Sequence, residues 1–235
     1  MELPPLHDGI ILRRYKRFLA DVDLDDGRRV TAHCPNTGSM RTCWEPGAPV
    51  QLVHSDNSKR KLAWTLERVD MGEGWIGVNT HRVNTVIAEA ASGGKIPGLE
   101  ALREVRREVR VDETAGHPAA RLDLLLSGEG GQAYVEVKNV TLLEAGKLLF
   151  PDAVSARATR HLQVLQGLAD SGRRAVILFA LNRPEGQSFS PAESIDPVYA
   201  ATLREVVANG VEVVAVRLRH GPRRIDVAGP VETVL

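Results

Sequence analysis

Arg121-Leu-Asp-Leu-Leu-Leu-Ser127, then Gly128-Glu-Gly-Gly131, then Gln132-Ala-Tyr-Val-Glu-Val-Lys-Asn139 is the stretch whose reading decides the fold. Two strand-like runs joined by a four-residue Gly-rich loop signal a β-hairpin. Pairing Ser127 with Gln132 sets Asp123 opposite Glu136 and Arg121 opposite Lys138. Side chains alternate along a strand, so Asp123, Glu136 and Lys138 then share one face. The other face carries Leu122, Leu124, Leu126, Ala133, Val135 and Val137, all apolar. A slip of one residue would bury the charges, so the burial pattern and the turn support the same register.

Directly opposed Asp and Glu side chains, with Cβ atoms about 5 Å apart, repel each other, and folding alone gives no reason to place them so. A divalent cation between them does. Two hard carboxylates suit Mg²⁺ or Mn²⁺, which keep several waters and accept phosphate oxygens. Lys138, two residues beyond Glu136, would sit beside the metal and the attacking water, where a positive charge favours a phosphoryl transition state. The competing account is a self-neutralising ladder of Arg121, Asp123, Glu136 and Lys138.

Working outward, residues 83–91 read as a helix, with Val86 and Ile87 inward and Glu89 on another face. Strands are expected at 104–111, 121–127, 132–140, 174–181 and 211–218, with helices at 154–169 and 198–208. Ala158, Leu162, Leu165 and Leu168 recur at helical spacing, and Gly172 is placed to stop that helix. His161 lies near this apolar stripe and reads as a packed histidine. The run AVILFAL at 175–181 suits a strand buried on both faces. Hairpins followed by βαβαβ give a mixed central sheet flanked by helices.

Residues 1–82 follow a different pattern. Strands are expected at 10–22, 28–34, 49–53, 62–69 and 75–78, separated by Gly, Pro, Asn and Asp clusters. Five short strands with little helix suggest a closed barrel of the OB type, because closure removes exposed edges. Such barrels bind nucleic acid through a basic groove with stacking aromatics. Arg13, Arg14, Lys16 and Arg17, then Lys59, Arg60 and Lys61, are the candidate cations. Tyr15, Phe18, Trp44, Trp64 and Trp75 are candidate stacking groups, although core filling is the commoner fate of each. Asn36-Thr-Gly-Ser39 looks like a phosphate-cradling turn but lacks a P-loop lysine. Ser39 and Ser155 have no base near them in sequence, which leaves nucleophilic serine chemistry without support.

Formal net charge is zero over 235 residues, so polyanion binding must come from these local patches. The N-terminus has no basic region followed by an apolar run, and no stretch approaches the ~20 apolar residues that span a bilayer. The expectation is a cytoplasmic protein without membrane contact. Cys34 and Cys43, the only cysteines, match no zinc spacing even with His33 and His54 nearby and read as thiols.

Taken in order, RRYKRFLADV (13–22), HCPNTGSM (33–40), SDNSKRKLAWTLE (55–67), VNT (78–80), RLDLLL (121–126), YVEVKNVTL (134–142), FPDAV (150–154) and RHLQVL (160–165) resemble the sugar fermentation stimulation protein A family along essentially the whole chain. The resemblance implies an N-terminal OB-like barrel (1–82) followed by an α/β PD-(D/E)xK restriction-endonuclease-like domain (83–235). It also implies DNA binding and a link to regulation of sugar (maltose) metabolism. In that pattern Asp123 matches the metal-binding acid, Glu136 and Lys138 match the Glu-x-Lys, and Glu89 is a candidate for a helix acid.

The resulting expectation is a DNA-binding protein with a Mg²⁺- or Mn²⁺-dependent nuclease site. Asp123, Glu136 and the Val137 main-chain carbonyl would be metal ligands, with Lys138 assisting the water. The alternative is a DNA-binding transcriptional regulator that does not cut and carries a vestigial site. RNA is a further candidate substrate, and a homodimer is compatible with the sequence.

Overall fold

The computed structural model describes residues 1–112 and 119–235. The N-terminal sheet contains β1 (Leu6–Tyr15), β2 (Leu19–Leu24), β3 (Arg29–His33), β4 (Pro49–His54), β5 (Trp64–Asp70) and β6 (Trp75–Gly77). Its order is β3-β2-β1-β4-β5-β6, and a parallel β3–β5 pairing at Ala32↔Trp64 and His33↔Thr65 closes β1–β5 into a five-stranded barrel. The expected strand at 10–22 is two strands. The chain reverses at Lys16 and Arg17, both at positive φ (49° and 66°). That turn contains no Gly, Pro, Asn or Asp, so the sequence carries no breaker to mark it. Ile11, Val22, Val50, Leu52, Leu66 and Ile76 fill the barrel, together with Cys34 and Cys43, both free thiols.

A 3-10 turn (Thr80–Arg82) leads into α1 (Val83–Ser92). Then follow β7 (Glu104–Val111), β8 (Ala120–Gly128), β9 (Gly131–Val140), β10 (Leu142–Glu144), β11 (Lys147–Phe150), α2 (Ala156–Asp170), β12 (Arg174–Leu181), β13 (Ser188–Pro191), α3 (Pro197–Ala208), β14 (Glu212–His220), β15 (Ile225–Pro230) and β16 (Glu232–Thr233). The central sheet runs β15-β14-β12-β9-β8-β7 and is mixed: β9, β12 and β14 are parallel, and the outer pairings are antiparallel. β10, β11, β13 and β16 form a second small sheet that the sequence patterns did not suggest.

β12 shows why its sequence is continuously apolar. Val176, Leu178 and Ala180 pack into the cluster under α1, while Ala175, Ile177, Phe179 and Leu181 pack into the cluster under α2 and α3. Both faces of the strand are therefore core, with no solvent face to alternate against. Leu122 departs from its expected face. It packs in the α2–α3 cluster with Val140 and Leu148, whereas Leu124 and Leu126 lie on the α1 side.

The barrel is joined to the central sheet by buried polar contacts. The Arg68 guanidinium, 1% exposed, donates to Gln51 Oε1 at 2.6 Å and to the carbonyls of Gly221 (2.7 Å) and Pro222 (3.2 Å). It also lies 4.7 Å from the centre of the Trp75 ring. Arg183 donates to the carbonyls of Thr42 and Thr141, and the Gly77 N–H donates to the Asn182 carbonyl at 2.8 Å. These bonds fix one edge of the barrel against the β14–β15 turn and the C-terminal ends of β9 and β12.

Candidate metal centre

The hairpin has the expected register over its outer part: Gly128↔Gly131, Ser127↔Gln132, Leu126↔Ala133, Leu125↔Tyr134 and Leu124↔Val135. The ladder then stops, and Asp123 and Glu136 are not a regular cross-strand pair. At this point Asp123 Oδ2 accepts the Val137 N–H at 2.8 Å, so a side chain takes the place of a strand carbonyl. Asp123 Oδ1 accepts from Asn84 Nδ2 of α1 at 2.6 Å. β9 continues on its other edge, with Glu136↔Ile177 and Lys138↔Phe179 against β12. The β8–β9 ladder thus ends where the acids lie.

The structure brings Asp123, Glu136 and Lys138 together and adds His161. Lys138 Nζ donates to Glu136 Oε1 at 2.6 Å, His161 Nδ1 makes a short contact with the same oxygen, and Lys138 Nζ lies 3.5 Å from His161 Nδ1. The expectation of a merely packed histidine is corrected. Its helix face points at the acid because α2 lies across β9, a long-range placement that periodicity cannot supply. Glu136 Oε2 is buried with no hydrogen-bond partner. Tyr199 of α3 is close enough for the Glu136 charge to act on it, and its hydroxyl is also buried and unpartnered. Asn84 and Tyr199 lie far away in sequence and give no motif.

Burial pushes the Asp123 carboxyl up to about 6, and the Glu136 charge adds to this, against the pull of the Val137 N–H, Lys138 and Asn84. Burial also raises Glu136, but the His161 hydrogen bond and the Lys138 charge outweigh it, so its net shift is downward. Glu136 is therefore the more acidic of the two, and Asp123 resists a second negative charge in the same space.

The alternative ladder does not form. Arg121 leaves the cluster, with its guanidinium 4.0 Å from Glu108. Glu89 is not at the site either. It pairs with the Met1 ammonium at 2.8 Å, and five residues along α1 from Asn84 it faces a different side of the helix. Among the described residues no group of three or more His, Cys, Asp or Glu forms a side-chain metal cage. A cation here would take Asp123 and Glu136 and complete its shell with main-chain oxygen, water or substrate. The unpartnered Glu136 Oε2 fits that role.

The expected nucleic-acid cations divide into two groups. Arg13 is paired with Asp21 at 2.7 Å, and Arg14 Nη2 is occupied by the carbonyls of Arg17, Asn36 and Gly38, bracing the loop after β3. Arg60 donates to Thr65 Oγ1 at 2.7 Å. Lys16, Arg17, Lys59 and Lys61 are exposed. Of the aromatic candidates, Trp64 is in the barrel core, Trp44 is packed against it and Trp75 lies under Arg68, whereas Phe18 is 44% exposed. The Asn36–Ser39 turn is held instead by Asp152, which accepts from Ser39 Oγ (3.3 Å) and the Met40 N–H (3.4 Å). Two cavities, of about 370 and 670 Å³, lie between the barrel and the second half of the chain.

Residues 12–78 match the family model described as the SfsA N-terminal OB domain, and residues 81–224 match the sugar fermentation stimulation protein RE domain. A sugar fermentation stimulation protein homolog of Acidithiobacillus ferrooxidans is 48% identical over 97% of each chain. One from Geobacter metallireducens is 46% identical over the full length of both. The solved structure of Pyrococcus furiosus SfsA, in complex with Ca²⁺, superposes with a TM-score of 0.88 at 29% identity, covering 100% of this chain and 98% of that one. No helix among the described residues is long and apolar enough to cross a membrane. With a closed barrel, a mixed α/β half and relatives matching end to end, this chain belongs to the sugar fermentation stimulation protein (SfsA) family.

Proposed function

We propose that this chain binds DNA and hydrolyses phosphodiester bonds at Asp123, Glu136 and Lys138 with Mg²⁺ or Mn²⁺. The observation that carries the proposal is an unbalanced pair of buried acids. One has an oxygen without any partner, and the other is pushed up to about 6 by burial and by its neighbour's charge. A divalent cation would supply the missing positive charge, polarise a phosphate oxygen and acidify a water. The relative from Pyrococcus furiosus was solved with Ca²⁺, a hard cation with the same preference for oxygen ligands.

Within this reading Asp123, Glu136 and the Val137 carbonyl hold the ion. Asn84 fixes one Asp123 oxygen, and His161 orients Glu136. The Lys138 ammonium, 2.6 Å from Glu136 Oε1, lies where it can stabilise negative charge developing on a phosphate. The exposed cations Lys16, Arg17, Lys59 and Lys61 would hold the backbone. The sugar-fermentation name of the relatives then describes a cellular consequence lying downstream of DNA contact.

The test is incubation of the purified chain with plasmid, single-stranded DNA and RNA, in EDTA and with Mg²⁺ or Mn²⁺. Cleavage should require metal and fall by about 100-fold or more in Lys138→Ala. No cleavage by the wild type in any metal would sink the nuclease proposal and leave a non-cleaving DNA-binding regulator. Cleavage persisting in both Lys138→Ala and Glu136→Ala would assign the activity to another site or to a contaminant.

A further inference from the structure

The two cavities lie near each other, because three separate chain segments contribute lining residues to both within one to three positions. At the β1–β2 turn Phe18 lines the larger cavity and Arg17 the smaller. After β3, His33 lines the larger and Asn36 the smaller. In the 3-10 turn, His81 lines the larger and Thr80 the smaller. In sequence, Asn139 of the smaller cavity follows Lys138, and Thr85 of the larger follows Asn84, the partner of Asp123.

The two cavities differ in chemistry. The larger has an exposed Phe18 ring, the His33 and His81 rings with centroids 6.4 Å apart, and the Lys61 side chain. Burial, with the charges of His81 and Arg60, holds the His33 imidazole below its ordinary range, so it presents an uncharged ring at neutral pH. The smaller has mixed polar and apolar walls, with Arg17, the hydroxyls of Thr37, Ser39 and Thr80, and the Asp152 carboxylate among its lining residues. Aromatic faces beside free cations are the chemistry that holds unstacked bases and their phosphates. Volumes of about 370 and 670 Å³ are those of small-molecule pockets, which admit a base only when it has left a duplex stack.

We infer that these two cavities together take a single-stranded polynucleotide in preference to a duplex, with a base against Phe18, His33 and His81 and the neighbouring nucleotide beside Arg17. This deepens the nuclease proposal and rests on it for the identity of the ligand as nucleic acid.

The test is fluorescence anisotropy in EDTA with the full-length chain, labelled oligo(dT), oligo(rU) and a DNA duplex of equal length. A single strand, of either sugar, should bind at least tenfold more tightly than the duplex. Phe18→Ala, at an exposed position, should weaken single-strand binding by about tenfold and leave the salt dependence unchanged. Arg17→Ala should reduce the slope of log K against log salt by about 0.7. Duplex binding as tight as single-strand binding, binding of neither strand, or unchanged affinity in Phe18→Ala would each overturn the inference. No step here needs a divalent ion, so single-strand binding without cleavage would refute the nuclease proposal alone. Metal-dependent cleavage of duplex without a single-strand preference would refute this inference alone.

Discussion

Asp123→Asn tests the charge imbalance at the centre of the site. Burial and the Glu136 charge push the Asp123 carboxyl up to about 6 from its ordinary value of 3.8. At roughly 1.4 kcal/mol per unit, ionising it in the folded protein costs up to ~3 kcal/mol relative to the unfolded chain. The sign follows from proton counting. Between about pH 4 and pH 6 the folded state holds a proton that the unfolded state has released, so wild-type stability falls as pH rises through this window and stays lower above it. The amide carries no charge at any of these pH values. It keeps an oxygen for the Val137 N–H, while its NH₂ group faces Asn84, whose own amide can turn to present oxygen. That rearrangement reduces the gain, and we expect Asp123→Asn to be more stable than wild type by about 1–2 kcal/mol near pH 8 in EDTA. The advantage should vanish near pH 4. Urea denaturation at several pH values measures it directly. Mn²⁺ should then reverse the order, because an ion present at about 100 times its dissociation constant stabilises the wild type by ~2.7 kcal/mol and has lost a ligand in the variant. Equal stability near pH 8 in EDTA, or an offset that does not change with pH, would refute the reasoning.

Two further substitutions test the surroundings of the site. Tyr199→Phe removes a buried hydroxyl with no partner, so stability should be unchanged or rise by about 1 kcal/mol. A fall of that size in a thermal melt would show that the hydroxyl is bonded in solution. Arg68→Met removes the guanidinium that joins Gln51 and Trp75 to the carbonyls of Gly221 and Pro222, and should cost about 3 kcal/mol in chemical denaturation. A loss below about 0.5 kcal/mol would show that this contact does not hold the barrel to the second half.

Much of the fold was legible because its signals are local. The AVILFAL run, the spacing of Ala158, Leu162, Leu165 and Leu168, and the Gly-rich loop at 128–131 each report burial or turn geometry within a few residues. The β12, α2 and β8–β9 elements form where those signals place them. The β1–β2 turn was not legible, because positive φ at Lys16 and Arg17 is imposed by barrel closure on residues with no turn preference. β10, β11, β13 and β16 were missed because strands of two to four residues carry too little alternation to register.

The sequence by itself placed Asp123, Glu136 and Lys138 at the same end of one hairpin, because turn position and strand length depend only on the residues of two adjacent strands. Tertiary structure decided everything that gives those residues their chemistry. It ended the ladder at Leu124 and turned Asp123 onto the Val137 N–H. It brought His161 from α2 and Asn84 from α1 against the two acids, and it sent Arg121 and Glu89 elsewhere. Burial, which sets the charge balance of the pair, and the cavities beside Phe18 and Arg17 both arise where segments distant in the chain pack together. No local pattern encodes which surfaces those will be.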